Sequence, residues 1–566
     1  MSQPEQLITE HIDIWTSAIL AKSTVGRGSS KKYELYGIKK LRELILELAV
    51  RGKLVPQNPN DEPASVLIKR IAAENAQLIR DNKIKKTLPF SKVTKDEELF
   101  ELPEGWIWAR IANLFNVVYG KGLPTSKLTN KGYDVFGANG IIGKYETYSY
   151  EESQLLVSCR GAYSGKANLS PPKCFITSNT LVLENSWNNL NKKFYYYSIS
   201  AADKSQIVTG SAQPQVTAKN LNPFLVSIPP LQEQHRIVAK VDELMLLCDQ
   251  LEQQTEASID AHATLVEILL ATLTDSADAN ELAQNWARVS EYFDSLFTTE
   301  QSIEALKQTV LQLAVMGKLV PQNPEDEPAS VLIEKIVAEK TRLIENKEIK
   351  PKTTLPPIAN DEKIFDIPRG WEWCRLDDIC NGITSGSTPP KSSFKDEPGI
   401  PYLKVYNIRN QEINFEYKPQ FIDASYHSSV LKRSQLRPGD VVMNIVGPPL
   451  GKIAIIPDTY PEWNCNQAIV MFRPIISDLN NFIYTYLVAG MFLKKIALIG
   501  TAGQDNISVT KSRSILLPTP PLEEQNRIVA KVDELMLLCD QLKDKLQQSQ
   551  VTQIQLTDAL IEKALA

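Results

Sequence analysis

The stretch LQEQHRIVAKVDELMLLCDQL, residues 231–251, returns at 522–542 as LEEQNRIVAKVDELMLLCDQL, with 19 of 21 positions identical at an offset of 291. A second repeat pairs LAVRGKLVPQNPNDEPASVLIKRIAAE (48–74) with LAVMGKLVPQNPEDEPASVLIEKIVAE (313–339), identical at 22 of 27 positions and offset by 265. A weaker repeat sets GWIWARI (105–111) against GWEWCRL (370–376), again at 265. Two different offsets mean that the intervening segments, 101–230 and 366–521, are unequal in length. Order matters as much as spacing. One repeat type opens the chain and its natural partner closes it, so joining 522–566 to 1–100 recreates the order of 231–365. The chain is a circularly permuted duplication. Its expected parts are an N-terminal helical region (1–100), a first variable domain (101–230), a central helical region (231–365), a second variable domain (366–521) and a C-terminal helix (522–566). The permutation predicts pseudo-two-fold symmetry, with the N- and C-terminal segments meeting to imitate the central connector.

The repeated pieces carry helical periodicity. From Ile237 an apolar seam runs Val241, Leu244, Cys248, Leu251, then polar Thr255, Ser258 and His262, then Leu265 and Leu269. Its copy runs Ile528, Val532, Leu535, Cys539, Leu542, Leu546, then Ser549 and Gln553, then Leu556 and Leu560. Steps of four and three make a heptad, the spacing of a coiled coil. Both seams are polar in the middle and apolar at each end, which suits two long antiparallel helices. His262 in that seam reads as a polar residue that sets register rather than as a ligand. In the other repeat, Gly52 and Gly317 fall just past amphipathic helices, where a positive φ is needed. Pro63 and Pro328 mark the start of the next helix, with proline in its first turn.

Composition sets the bounds. The 566 residues hold 62 Lys+Arg against 67 Asp+Glu, a net charge of −5, and 43% are hydrophobic. That length suits three or four domains, and that apolar content excludes wholesale disorder. The acidity is uneven. Segment 231–365 has 12 basic and 24 acidic residues, whereas 101–230 has 12 and 8, and 366–521 has 16 and 14. Seven cysteines, odd in number and without a C-x-x-C spacing, read as buried free thiols of a reducing cytoplasm. Four unpaired histidines argue against a zinc site or a histidine-based catalytic centre. The start lacks a signal pattern and no unbroken apolar run approaches a membrane span, so a cytoplasmic protein with no membrane association is expected.

Segments 101–230 and 366–521 are rich in Gly, Asn, Tyr and Pro and hold short β-branched runs, the texture of loop-rich α/β domains. Each has a Gly-x-x-x-Gly-Lys loop, Gly161–Lys166 and Gly447–Lys452, followed by Asn179 or Asn466. Each ends in a polar stretch, TGSAQPQVT (209–217) or GTAGQDNISVT (500–510). A Walker A phosphate loop needs four residues between the glycines and Ser or Thr after the lysine, so nucleotide hydrolysis is excluded. Lys166 and Lys452 could instead meet a nucleic-acid phosphate, or simply decorate a tight turn. Asn139, Arg160, Gln213, Lys404, Asn407, Arg409 and Gln504 are of the types that read base edges, Arg on guanine and Asn or Gln on adenine. No Asp/Asn-Pro-Pro-Tyr/Phe motif, nuclease signature, helicase set or paired nucleophile is present, so no catalytic residue is assigned.

Two variable domains set between duplicated helices, together with GKLVPQNP(N/E)DEPA and the exits IPPLQEQ-x-RIV and TPPLEEQ-x-RIV, resemble the specificity subunit of type I restriction–modification systems. The N-terminal extension is similar to that of the IB subgroup. The resemblance implies an α+β architecture of two target recognition domains joined by long antiparallel coiled-coil helices. Each domain would read one half of a bipartite asymmetric site in double-stranded DNA, with the helices setting the gap. It also implies two methyltransferase subunits and restriction–translocase subunits as partners. Adenine-N6 methylation with S-adenosylmethionine, and cleavage with ATP and magnesium, would belong to them. The alternative is a coiled-coil scaffold that binds only proteins.

Overall fold

In a computed structural model the described residues are 3–21, 33–81, 91–185, 190–210, 213–351, 353–395, 399–447, 449–496 and 506–566. They form two compact units, of which the first joins two separate stretches of chain and the second is continuous. Unit 1 comprises residues 1–259 and 548–566, and unit 2 comprises residues 260–547. The segment boundaries expected from the repeats therefore mark duplicated pieces, while each compact unit gathers pieces from several of them.

Unit 1 contains helices α1 (Tyr36–Val50) and α2 (Ala64–Arg80) and the first part of the 45-residue helix α3 (Leu231–Asp275). Unit 2 contains the rest of α3, helices α4 (Glu300–Val315) and α5 (Ala329–Glu345), and the first part of α6 (Leu522–Leu565), whose final turns return to unit 1. In unit 1, Arg42 on α1 binds Asp249 and Glu252 of α3 at 2.7 and 2.8 Å, while Asp61 beyond the other end of α1 binds Arg236 at 2.6 Å. Helix α1 therefore runs opposite to α3. It runs alongside α6, because the Tyr36 hydroxyl donates to Asp558 at 2.8 Å and Lys53 Nζ donates to the Leu565 carbonyl at 2.7 Å. Unit 2 repeats three of these contacts at the equivalent positions. Lys307 binds Asp540 at 2.5 Å, Arg527 binds Asp326 at 2.5 Å, and Lys318 Nζ donates to the Thr274 carbonyl at 2.7 Å. The permutation is thus written in hydrogen bonds. Where Lys318 holds a chain that continues, Lys53 holds the last turn of α6.

Gly52 and Gly317 have the positive φ that the sequence requires, 68° and 70°. A Cβ there would also lie 2.6 Å from Pro103 or 2.4 Å from Pro368. Pro63 and Pro328 stand one residue before the helix, at its N-cap rather than in the first turn. The free cysteines are all buried.

The helix seams depart from the heptad. Ile237, Val241, Leu244, Cys248 and Leu251 are buried as expected, but Leu265 is 49% exposed and Val266, Leu270 and Leu273 are buried instead. In α6, Leu556 is 47% exposed and the adjacent Thr557 is fully buried. The inward positions run 248, 251, 255, 259, 262, 266, 270, 273 in α3 and 539, 542, 546, 550, 553, 557, 561, 564 in α6. Steps of three, four and four repeat about every 11 residues, so the coiled-coil seam has a hendecad period, which winds slightly right-handed, in place of the heptad. His262 lies at one such position and its ring meets the Ser295 carbonyl at 3.1 Å. One window of α3 reaches the length and mean hydropathy (1.2) of a membrane-crossing helix, although the helix holds no long unbroken apolar run. Its Val266, Leu270 and Leu273 pack with Val289, Phe297 and Ile303 in the core of unit 2.

Each variable domain enters and leaves through one antiparallel strand pair, Ile107–Arg110 with Leu225–Ile228 and Glu372–Arg375 with Leu516–Thr519. The adjacent indole of Trp106 donates to Glu233 at 3.0 Å, and that of Trp371 to Glu524 at 3.0 Å. Both carboxyl groups are buried, and burial pushes their pKa values above the usual carboxylate range. A raised folded pKa means that the native state holds protons the unfolded chain has released. Their contribution to stability is therefore present below about pH 4.5 and lost as pH rises through the folded values. The double variant Glu233→Gln/Glu524→Gln keeps the indole acceptors and removes this ionisation. Thermal unfolding at about pH 5 and about pH 7.5 should show a smaller difference between the two conditions for the variant than for the native chain. An unchanged difference would assign the pH dependence elsewhere.

Candidate nucleic-acid interface

The first variable domain is built on a four-stranded antiparallel sheet of order β1-β7-β4-β5 and a three-stranded sheet of order β3-β2-β6. The strands are β1 (Asn116–Tyr119), β2 (Tyr133–Phe136), β3 (Ile141–Tyr145), β4 (Leu155–Ser158), β5 (Ala167–Leu169), β6 (Phe175–Ile176) and β7 (Thr180–Glu184). Leu155, Leu156, Val157, Leu181, Val182 and Leu183 are buried on both faces, so β4 and β7 read as unbroken apolar runs. Polar loops are then the parts of this sheet free to face a ligand.

Those loops are tied to one another. The turn after β6 receives Lys121 N–H at the Ile176 carbonyl (2.9 Å), and Ser178 N–H returns to the Lys121 carbonyl (3.0 Å). Thr180 donates to the Gly137 carbonyl at 2.8 Å and Ser158 donates to that of Ala138, which fastens the loop holding Asn139. Cys159 N–H meets the Asn179 carbonyl at 3.0 Å, and Gly161 N–H and the Ser164 hydroxyl both meet the Pro214 carbonyl, at 3.0 and 2.7 Å. Asn139, Arg160, Lys166 and Gln213 thus stand on one connected set of loops. Arg160, Lys166 and Gln213 are exposed and Asn139 is half-buried. Lys166 Nζ lies 5.6 Å from the centre of the Tyr163 ring. Its charge also bears on Lys204, whose pKa is lowered first by burial and then by this neighbour.

The second variable domain repeats the plan with a sheet of order β8-β15-β12-β13, made of β8 (Cys380–Ser385), β12 (Val441–Asn444), β13 (Ile453–Ile455) and β15 (Ile469–Pro474). Strand β9 (Ile400–Leu403) pairs in parallel with β14 (Asn464–Cys465), as β2 does with β6. Between β9 and β12 the chain adds a two-stranded hairpin, β10 (Ile408–Arg409) and β11 (Glu412–Ile413). Lys452 follows the Gly447–Gly451 loop and is half-buried, its N–H held by Asn444 Oδ1 at 2.7 Å. Lys404 is half-buried with Nζ 5.5 Å from the centre of the Phe394 ring. Arg409 is exposed.

Asn407 needs correction. It is only 1% exposed, and its side chain accepts from Lys404 N–H at 2.9 Å and donates to the Tyr417 carbonyl at 2.9 Å. A buried amide already joined to the backbone has nothing left for a base edge. Gln504 lies outside the described residues.

None of the candidates named from the sequence includes Lys121, Lys204 or the aromatic partners Tyr163 and Tyr417. A usable signal for the loop crossing does exist, Gly-x-x-x-Pro at Gly120–Pro124 and Gly386–Pro390. A Cβ on Gly120 would lie 2.2 Å from the Thr177 carbonyl oxygen, and one on Gly386 2.0 Å from that of Cys465. These glycines let the first loop of each domain cross directly over the turn that carries Asn179 or Asn466.

Comparison with known proteins agrees in one direction. A family described as the type I restriction modification DNA specificity domain matches residues 103–261 and 368–551. The EcoEI type I restriction enzyme specificity subunit of Escherichia coli is 40% identical, covering 99% of both chains. The EcoAI specificity subunit of Escherichia coli is 39% identical, again over 99% of both. A solved chain described under complex assembly and conformational transition of the type I R-M system aligns at a TM-score of 0.48 with 19% identity, covering 82% of this chain and 99% of that one.

Proposed function

The chain belongs to the type I restriction modification DNA specificity family, and from that premise we propose that each variable domain recognises one half of a split, asymmetric duplex site. The observation that carries the reading is the duplication of the loop set. Each domain presents a lysine at the end of its Gly-x-x-x-Gly loop, Lys166 or Lys452, at the matching place on the same sheet order, and an exposed arginine, Arg160 or Arg409, elsewhere on its surface. The chain is the non-catalytic, specificity-giving member of the complex. Arg160, Lys166, Gln213 and Asn139 serve the first half-site, and Lys404, Arg409 and Lys452 the second. Amide and guanidinium groups select bases, and lysines grip phosphate.

The long helices set the gap. Two methyltransferase subunits occupy the duplicated helical surfaces, and restriction–translocase subunits join them. Leucines exposed at equivalent places in the two copies of the repeat support that assignment, Leu246 at 59% and Leu537 at 60%. Isolated apolar side chains are ordinary on a surface, but the same one exposed in both copies suits one partner bound twice. S-adenosylmethionine, ATP and magnesium belong to those partners. An enzyme that methylates adenine must flip the base from the stack, so the reading subunit holds the flanking duplex meanwhile. With 12 basic against 8 acidic residues in 101–230 and 16 against 14 in 366–521, the heads supply little phosphate attraction alone.

The test is a map of methylated adenines in cells carrying the chain with its methyltransferase partner. One bipartite sequence with a constant gap is the expected result. A single uninterrupted motif, or methylation independent of this chain, would overturn the reading and favour the protein-binding scaffold.

A further inference from the structure

The hairpin added in the second domain is unusually well fixed for so short an element. Arg409 pairs with Glu412, leaving Asn410 and Gln411 as a two-residue turn in which both have positive φ, 51° and 62°. That is the backbone of the tight turn whose twist matches paired strands, adopted here without glycine. Gln411 anchors it. Its Oε1 accepts from Ile453 N–H at 2.7 Å, and its carbonyl accepts from the Tyr484 hydroxyl at 3.0 Å. The hairpin is thereby pinned to β13, next to Lys452. In the first domain the chain passes from β2 through Gly137–Gly140 straight into β3, with no such element.

Arg409 is the exposed cation on this hairpin. Its guanidinium carbon lies 3.4 Å from the centre of the Tyr417 ring, and Nε donates to the Tyr406 carbonyl at 3.3 Å. The ring fixes the guanidinium plane, and Nε fixes its rotation. The two terminal nitrogens have no protein partner among the described residues, so the bidentate edge of the fork is open. A guanine offers two acceptors, O6 and N7, at the spacing of that edge, which lysine cannot match. Much of the side-chain ordering that such a contact requires is already done before DNA arrives.

We propose that Arg409, held flat on Tyr417 beside the 410–411 turn, reads the major-groove edge of a guanine in the half-site assigned to the second variable domain. This rests on the reading of that domain as a DNA-recognition head. Tyr417 is the positioning residue.

The experiment uses the full chain assembled with its methyltransferase partner, and duplexes carrying each single base-pair change in the mapped site. Arg409→Ala should lose about 5- to 100-fold of the discrimination at one G·C pair of one half-site, and none in the other half. Arg409→Lys should not restore it. Tyr417→Ala should weaken discrimination at that same pair, and Tyr417→Phe should retain it. Equal weakening on every sequence, with a shallower salt dependence, would make Arg409 a phosphate contact and overturn the proposal. Unchanged discrimination at every pair would overturn it too. Exchange of 366–521 separates the two levels. If that exchange changes a half-site while Arg409→Ala does not, only the Arg409 assignment falls. If the exchange changes nothing, the recognition-head reading falls with it.

Discussion

Replacing residues 101–230 with the corresponding domain of another member of the family should change one half of the methylated sequence and leave the other half and the gap as they were. The physical reason is how the domain is hung. Its entering strand Ile107–Arg110 and leaving strand Leu225–Ile228 pair with each other, and its helix Lys192–Ala201 packs on α1 and reaches α3 through Lys193 and Asp242 at 2.7 Å, so the attachment is a defined and duplicated one. Around the strand pair, Trp106 binds Glu233 at 3.0 Å, and Arg110 binds Glu97 at 2.7 Å and the Pro223 carbonyl at 3.1 Å. The second domain repeats this with Trp371–Glu524 and Arg375–Glu362, both at 3.0 Å. A donor domain that keeps the tryptophan and arginine meets the same sockets. Each mismatched base pair costs about 1–3 kcal/mol, so losing several positions of a half-site removes recognition by several orders of magnitude. Mapping methylated adenines before and after exchange gives the answer directly. Change in both halves, or in neither, sinks the modular reading.

The second large effect concerns the long helices. Excising 252–262 from α3 together with 543–553 from α6 removes about three turns from each and brings the next inward residues onto the same face. Position 266 takes the place of 255, and 557 takes the place of 546. The excised helix measures about 16 Å, or about five base pairs at roughly 3.4 Å each. The methylated site should keep both half-sequences and lose about five base pairs from its gap. An excision of about five residues instead rotates the downstream turns by about 140° and should abolish assembly, because the apolar faces no longer meet. Both half-sites retained at the original gap would overturn the ruler reading.

How far the sequence can be read depends on what each residue type determines by itself. Near-identity of 231–251 and 522–542 carries the permutation without any structure, since duplicated side chains make duplicated contacts. Arg42–Asp249 and Lys307–Asp540 are the proof, 265 apart on one partner and 291 on the other. The helix phase beyond residue 251 is not legible. Thr255, Ser258 and His262 give no apolar cue, and the true face moves one residue, from Leu265 to Val266. In the recognition loops, side-chain chemistry is legible but direction is not. Asn407 and Arg409 stand close together in the chain and are equal candidates by type. One is sunk into the backbone of its own loop, and the other lies open on a tyrosine. The crossing at Gly120 and Gly386 can be found from their common spacing to Pro124 and Pro390.

The way each unit is assembled also sets a timetable. Synthesis delivers residues 260–547 in one uninterrupted run, so unit 2 has all of its parts as soon as that run is made. Unit 1 has its segment 1–259 much earlier, yet lacks 548–566, the turns that place Asp558 on Tyr36 and the Leu565 carbonyl on Lys53. At about 5–20 residues per second, it waits roughly 15–60 s without Leu560, Ile561, Ala564 and Leu565, which pack against its core. The half of the protein that begins first is finished last. Any nascent-chain chaperone has its longest task there, and loss of segment 548–566 should leave unit 2 complete and unit 1 open.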